Sequence, residues 1–271
     1  MKYIHPRRYL RRLFNPIKEL FCSGINWRKT IVFNFHMLPY DIAKHLPILL
    51  YGKVDISHCT GKIQFLSNEP IKRGSWIIGQ SDCMVNGLGT HYDVTWMAVE
   101  GTLLLGNTGR IANGCRISVL KGATLTMGNG VLLNANGRIS CYESIIIGNK
   151  IHISWDGQIY DTDFHYVISD NGIVRRRSKS VSIGDGAWIG HNVTICKGAA
   201  IGKGCIVASH SLLNKDFGEY QNCIFAGIPA VLVKEGYKRI YNLSTEYNLM
   251  TYFTQNKDVS QIILNNENLI I

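Results

Sequence analysis

Eight cysteines are present, yet no two stand in CxxC spacing; they are scattered from Cys22 to Cys223. Neither a zinc site nor a disulfide framework is indicated, and reduced structural thiols of a cytoplasmic protein are the plain reading. Proline is scarce, at 6 of 271 residues, and no run of 18 apolar residues occurs, which argues against a transmembrane helix. Acidic side chains are also few: 19 against 29 Lys and Arg, for a formal net charge of +10. That excess asks for nucleic acid, an anionic membrane or a polyanionic ligand as partner. No nucleic-acid-binding signature is found. The positive charge lies at the N-terminus and in residues 175–179, which favours the other two.

Glycine, by contrast, is abundant at 27 residues, and it is spaced. From 183 to 213 the chain reads in sixes: IGDGAW, IGHNVT, ICKGAA, IGKGCI, VASHSL. Position one is aliphatic, position two is usually Gly or another small residue, and position five is small or Val. A period of six fits neither an α-helix nor a half-buried strand and marks a stacked solenoid. Three sixes close one triangular coil, with the aliphatic inside and the small residue at the corner. Cys115 and Cys205 fall at position five, as small core residues.

The pattern divides the chain into a basic N-terminal extension with lead-in strands (1–60), a solenoid (61–229) and a C-terminal helical cap or tail (230–271). Leu10, Leu13, Phe14, Ile17, Leu20 and Phe21 recur at helical spacing opposite Arg7, Arg8, Arg11, Arg12 and Lys18. That segment reads equally as a helix on anionic lipid or as one packed on the solenoid or a neighbouring subunit. Residues 30–35 are expected to be a strand. Imperfect sixes start near 61, become clear at Leu105, Ile111 and Ile117, slip at Val119, Leu125 and Val131, and recover at Ile147, Ile153 and Ile159. They stop at 165–180, HYVISDNGIVRRRSKS, which reads as a loop thrown out of the coil. Residues 231–249 have mixed helical character. Non-repeating ends are needed, because an open last coil exposes unpaired strand edges.

Three blocks occur together: DTDFH at 161–165, the WIG hexads around 188–190, and NKD…AGIPA at 214–230. With them the chain resembles the bacterial hexapeptide-repeat acyltransferases, in the branch of galactoside, maltose and capsular-polysaccharide O-acetyltransferases. The resemblance implies an all-β solenoid, a left-handed parallel β-helix that assembles as a homotrimer and binds acetyl-CoA between neighbouring coils, with no metal. It implies a sugar or glycan acceptor, and His165 as the general base for direct transfer through a tetrahedral intermediate. Histidine suits that task because its pKa lies near the working pH. Asp161 and Asp163 are candidates to orient the imidazole or hold the sugar, or else are solvated loop carboxylates. Asn134 matches the family residue that positions the acceptor hydroxyl, unless it is only a corner Asn.

His191, Ser209, Asn214, Lys215 and Lys234 correspond to coenzyme A contacts, the lysine at 234 for the phosphates. Tyr166 stands where the family often has Pro, and Ser209-His210 replaces the commoner Ala-Gly. A three-histidine zinc site built from His152, His165 and His191 is disfavoured by their unrelated coil positions. The implied function is acetyl-CoA-dependent O-acetylation of a bacterial surface polysaccharide or its precursor, in the cytoplasm or at the inner membrane face. The alternatives are N-acetylation of an amino-sugar, nucleotide sugar or antibiotic, and a non-catalytic assembly or membrane-binding solenoid.

Overall fold

Each aliphatic of the sixes lands in one continuous core. Ile183, Ile189, Ile195, Ile201, Val207 and Leu213 are all buried, as are Ala187, Val193, Ala199, Cys205 and Ser211 at position five. In the computed structural model, which describes residues 24–67, 70–81 and 94–264, successive strands go to three successive parallel sheets. Up to Cys223–Gly227 each strand therefore pairs with the strand three further on, in sheets of nine, seven and seven strands among the described residues, the ninth being a folded-back last strand. This is a three-sided parallel β-helix. Sheet 1 stacks Ile111, Leu133, Ile153, Ile189, Val207 and Phe225 in one column. Sheet 2 stacks Ile117, Ile139, Ile159, Ile195 and Leu213. The second corner of each coil lies between sheets 2 and 3, and the third returns the chain to sheet 1.

The slip near Val119 has a simple cause. The late coils use two-residue strands such as Thr194–Ile195, with one inward side chain each. The earlier strands, such as Arg116–Val119, have four residues, so alternation buries both Ile117 and Val119. A coil there takes 22 residues from Ile111 to Leu133, against 18 from Ile189 to Val207.

Glycine at position two of the sixes that begin at Ile183 and Ile189 is required by stacking. A Cβ on Gly184 would lie 2.8 Å from the Lys203 backbone nitrogen, and one on Gly190 would lie 2.6 Å from that of Ser209. Both clashes are with backbone of the next coil, which cannot swing away as a side chain could. Gly184→Ala is therefore expected to cost about 1–3 kcal/mol, read as a fall of a few degrees in Tm.

The expected strand at 30–35 is instead part of helix α1, Trp27–Met37. Its β-branched and aromatic residues suggest a strand, but tertiary contacts decide otherwise. Asn26 caps the helix, accepting from the Lys29 N–H at 3.1 Å. One turn apart, buried Thr30 and Asn34 accept the Leu50 and Ile48 backbone N–H groups at 3.0 and 3.1 Å. The helix thus satisfies the open edge of the first strand, Ile48–Leu50, which already pairs into sheet 1 ahead of residue 61. A short helix α2, Tyr40–Ala43, follows α1. At the other end Ala230–Glu235, within the region expected to be mixed helical, is a strand that folds back antiparallel on Cys223–Gly227. The tail then returns to the third corner, where the Tyr241 hydroxyl donates towards the Gly186 and Ala187 carbonyls. Helix α3, Leu243–Gln255, comes after it, capped by Asn242. The basic amphipathic segment expected at 1–24 lies outside the described residues except for Gly24. No described helix is long and apolar enough to cross a membrane.

Candidate active site

The solenoid is interrupted where the DTDFH block begins. Sheet 2 ends its fifth described crossing at Gln158–Tyr160, and the chain re-enters sheet 3 only at Val181–Ile183. Between them it forms an exposed two-armed loop on the second corner. Its neck is closed by the antiparallel bridge of Thr162 with Ser178, and its tip by that of Ile168 with Val174. The Asp163 N–H donates to the Arg177 carbonyl at 2.8 Å across the arms.

Asp161 is fully buried and faces away from the loop. Its carboxylate accepts the backbone N–H groups of Tyr142, Glu143 and Ser144 at 2.7, 2.7 and 2.8 Å. Those residues are the second corner of the preceding coil. Asp161 therefore fixes the ground from which the loop leaves, and the expectation that it orients the imidazole is corrected: all three of its bonds go to backbone. Asp163 is ion-paired with Lys197 on the following coil, and Lys197 Nζ also reaches the Arg176 carbonyl at 3.2 Å. This pair ties the loop to the solenoid wall.

Phe164 carries the local strain. Its φ of 63° lies in the left-handed region, uncommon for a bulky residue. The ring packs edge-on against Tyr142 and Tyr160, with centroids 5.5 and 5.6 Å away, and the Thr162 hydroxyl accepts the Phe164 N–H. Those contacts offset the backbone cost. The next residue, His165, is exposed, and its imidazole makes no hydrogen bond within the described chain. Beside it opens a pocket of about 370 Å³ lined by Asp163, Ser169, Arg175, Arg176, Arg177 and Lys197 among others. The Arg177 guanidinium lies over the rings of Tyr142 and Tyr166, at 5.8 and 5.3 Å.

A second cluster occupies the first corner, between sheets 1 and 2. The Ser209 hydroxyl and His191 Nδ1 are 2.7 Å apart. The His191 ring stacks on Trp155 at 4.8 Å and meets His210 edge-on at 4.9 Å. His210 takes the left-handed φ of 61° that Asn136, Asp156 and Asn192 hold in the coils before it. Asn134 sits on the same corner, with a buried Oδ1 that accepts no hydrogen bond from the described chain. Asn214 and Lys215 are exposed at the second corner, one coil beyond Cys196 and Lys197. Lys234 is exposed on the folded-back strand, its Nζ 5.3 Å from the Tyr237 ring centroid.

The structure thus brings His191 and Ser209 together, and sets Asp161, Asp163 and His165 on one loop. That loop and the first-corner cluster lie at opposite edges of sheet 2. Sequence reasoning overlooked Tyr142, Trp155 and Lys197; it marked the basic run 175–179 and the DTDFH block without giving Arg177 or Phe164 a role. Only the Tyr166 departure hinted at an aromatic loop. His152 faces Arg239, a contact that sets it apart from the two other histidines weighed for zinc. Among the described residues no group of three or more His, Cys, Asp or Glu could hold a metal ion.

A parallel β-helix of six-residue steps, interrupted by a histidine-bearing loop, is the architecture of a hexapeptide-repeat transferase. Residues 180–215 match the family model for the bacterial transferase hexapeptide (six repeats). A 24.8 kDa protein in the cps region of Klebsiella pneumoniae, named as uncharacterized, is 30% identical over 204 residues, covering 74% of this chain and 84% of that protein. The chain belongs to the bacterial hexapeptide-repeat acyltransferase family. A protein of Mycobacterium tuberculosis named a probable acetyltransferase is 32% identical over 116 residues, 41% of this chain and 37% of that one. The polysialic acid O-acetyltransferase of Neisseria meningitidis is 39% identical over 78 residues, 28% of this chain and 34% of its own. The chain therefore spans little more than a third of the length of these last two relatives.

Proposed function

We propose that the protein is an acetyl-CoA-dependent O-acetyltransferase acting on a sugar hydroxyl of a bacterial surface polysaccharide or its precursor. The observation that carries this reading is His165: an exposed imidazole, with no hydrogen bond among the described residues, on a pinned loop beside a pocket. A general base must first be within reach of its proton, and this one stands open to an acceptor. His165 takes the proton of the acceptor hydroxyl as that oxygen bonds to the thioester carbonyl carbon. The carbon–sulfur bond breaks, and coenzyme A leaves as the thiol, carrying the proton that His165 held.

Asn134, on the first corner, helps to hold the acceptor hydroxyl, as its match to the family residue implies. His191 and Ser209 line the pantetheine arm, Asn214 and Lys215 lie further along the donor, and Lys234 meets phosphate. No acyl-enzyme is required. Cys196, on the coil that carries Lys197, has its thiol pushed up first by burial and then by the Asp163 carboxylate, which leaves it a poor nucleophile. Burial drives the Cys115 and Cys141 thiols up to about 12.

The working unit is a homotrimer in which the loop edge of one subunit meets the first-corner cluster of the next, so that base and donor residues come together. The loop supports this, because Val167, Ile168, Ile173 and Val174 are exposed apolar residues around its tip. The acceptor is met in the cytoplasm, with residues 1–24 resting on the anionic inner membrane face. The relative that acts on polysialic acid, by its name, supports a glycan acceptor.

Incubation with radiolabelled acetyl-CoA and a panel of surface polysaccharides tests the reading. Label should enter the glycan and be released by hydroxylamine, as an ester is. Hydroxylamine-resistant label on an amino-sugar would replace it with N-acetylation. No labelling, together with no coenzyme A binding by calorimetry, would leave a non-catalytic solenoid.

A further inference from the structure

We infer that the His165 pocket selects an acceptor sugar that carries a carboxylate, gripped by Arg175 and Arg177. The inference rests on the acetyltransferase reading for its chemistry but on different residues for its evidence. Of the cations around the pocket, two are already matched: Arg176 by Glu143 at 3.2 Å, and Lys197 by Asp163. Arg175 and Arg177 line the same pocket, and neither meets a carboxylate among the described residues. Two guanidinium groups without counter-charge beside a free imidazole form an anion site with the base built into it.

Arg177 is also held in advance. Its planar group lies over Tyr142 and Tyr166, and one N–H reaches the Phe164 carbonyl at 3.4 Å. The rest of its donor fork stays available, and ring stacking lowers the entropy lost on binding. A guanidinium fork matches a carboxylate with two parallel hydrogen bonds, which a hydroxymethyl group cannot supply. Arg175 and Arg177 stand within twelve residues of His165 in sequence and line the same pocket, so anion grip and base share one short loop.

The same charges could instead serve phosphate, either on the acceptor or on the donor, so the experiment carries arms for each. Oligosaccharides of sialic acid and of glucuronic acid are compared with their carboxyl-reduced forms and with a phosphorylated neutral oligosaccharide. Both calorimetric binding and acetyl transfer are measured, in the presence of coenzyme A or acetyl-CoA respectively. The expected result is that at least one acid binds and reacts about tenfold or more better than its reduced form, a margin that shrinks as salt is raised. Arg177→Gln and Arg175→Gln should each collapse that ratio, while the surface control Lys257→Gln should keep it.

Equal binding and transfer for every acid and its reduced form overturns the inference and leaves the acetyltransferase reading standing. Preference for the phosphorylated oligosaccharide overturns it in favour of a phosphate site. A rise in the KM of acetyl-CoA in both arginine variants, with the acid-to-reduced ratio intact, overturns it in favour of donor binding. Acid-selective binding that Arg177→Gln abolishes, without transfer to any glycan, upholds the anion grip and removes the enzymatic reading.

Discussion

Replacing His165 with Ala is expected to lower kcat for acetyl transfer to a sugar hydroxyl by about 10²–10⁴-fold, the usual contribution of a positioned acid–base group. The KM for acetyl-CoA should change less than kcat, because His191 and Ser209 stand on the other corner and Asn214 and Lys215 one coil beyond Lys197. Stability should hardly move, since the imidazole is exposed and makes no hydrogen bond within the described chain. A large loss of turnover at constant Tm therefore separates a chemical role from a structural one. The pH profile adds a second check. The limb of wild-type kcat that rises as a base loses its proton should vanish in His165→Ala. A variant that turns over within threefold of wild type would remove His165 as the base. An amine acceptor, which sheds its proton more readily, would feel the loss less.

Asp161→Ala should give the opposite signature, a loss of stability before any specific loss of chemistry. Three backbone N–H groups end on this one buried carboxylate, and truncation leaves them without an acceptor. These donors are half-buried, so each one left unmet costs at the low end of about 1–3 kcal/mol, and the variant should lose roughly 3 kcal/mol. For a chain of this size that is a fall of about 6–12 °C in Tm. Asp161→Asn should fall between, since its one remaining carbonyl oxygen can serve only part of the corner. If Asp161 instead oriented the imidazole, its removal would cut kcat and shift the pH profile with Tm intact. Such a result would overturn the structural assignment.

These two neighbouring acidic and basic residues show where reading along the chain succeeds. The six-residue period made the solenoid legible from 183 to 213, because each coil there uses the shortest strands and repeats its corner without insertion. It grew faint near Val119, where four-residue strands put two inward side chains in each strand and lengthened the coil. The loop was visible as a gap in the pattern, and His165 as the histidine at its start. Residues 30–35 were misjudged because propensity favoured a strand, whereas Thr30 and Asn34 serve the edge of Ile48–Leu50 from a helix. Nothing local announces a contact across roughly twenty residues.

The parallel β-helix and the loop's position were thus encoded in local periodicity: which residues face inward, and where a small one allows the next coil to stack. What Asp161, Asp163 and Arg177 do was decided only by folding. Asp161 bonds to a corner about twenty residues earlier, Asp163 pairs with Lys197 one coil later, and Arg177 lies over Tyr142 and Tyr166. In a solenoid, neighbours along the stack are a whole coil apart in the chain. A carboxylate two residues from another in DTDFH can therefore serve a different coil and a different purpose, and no spacing along the chain reveals which.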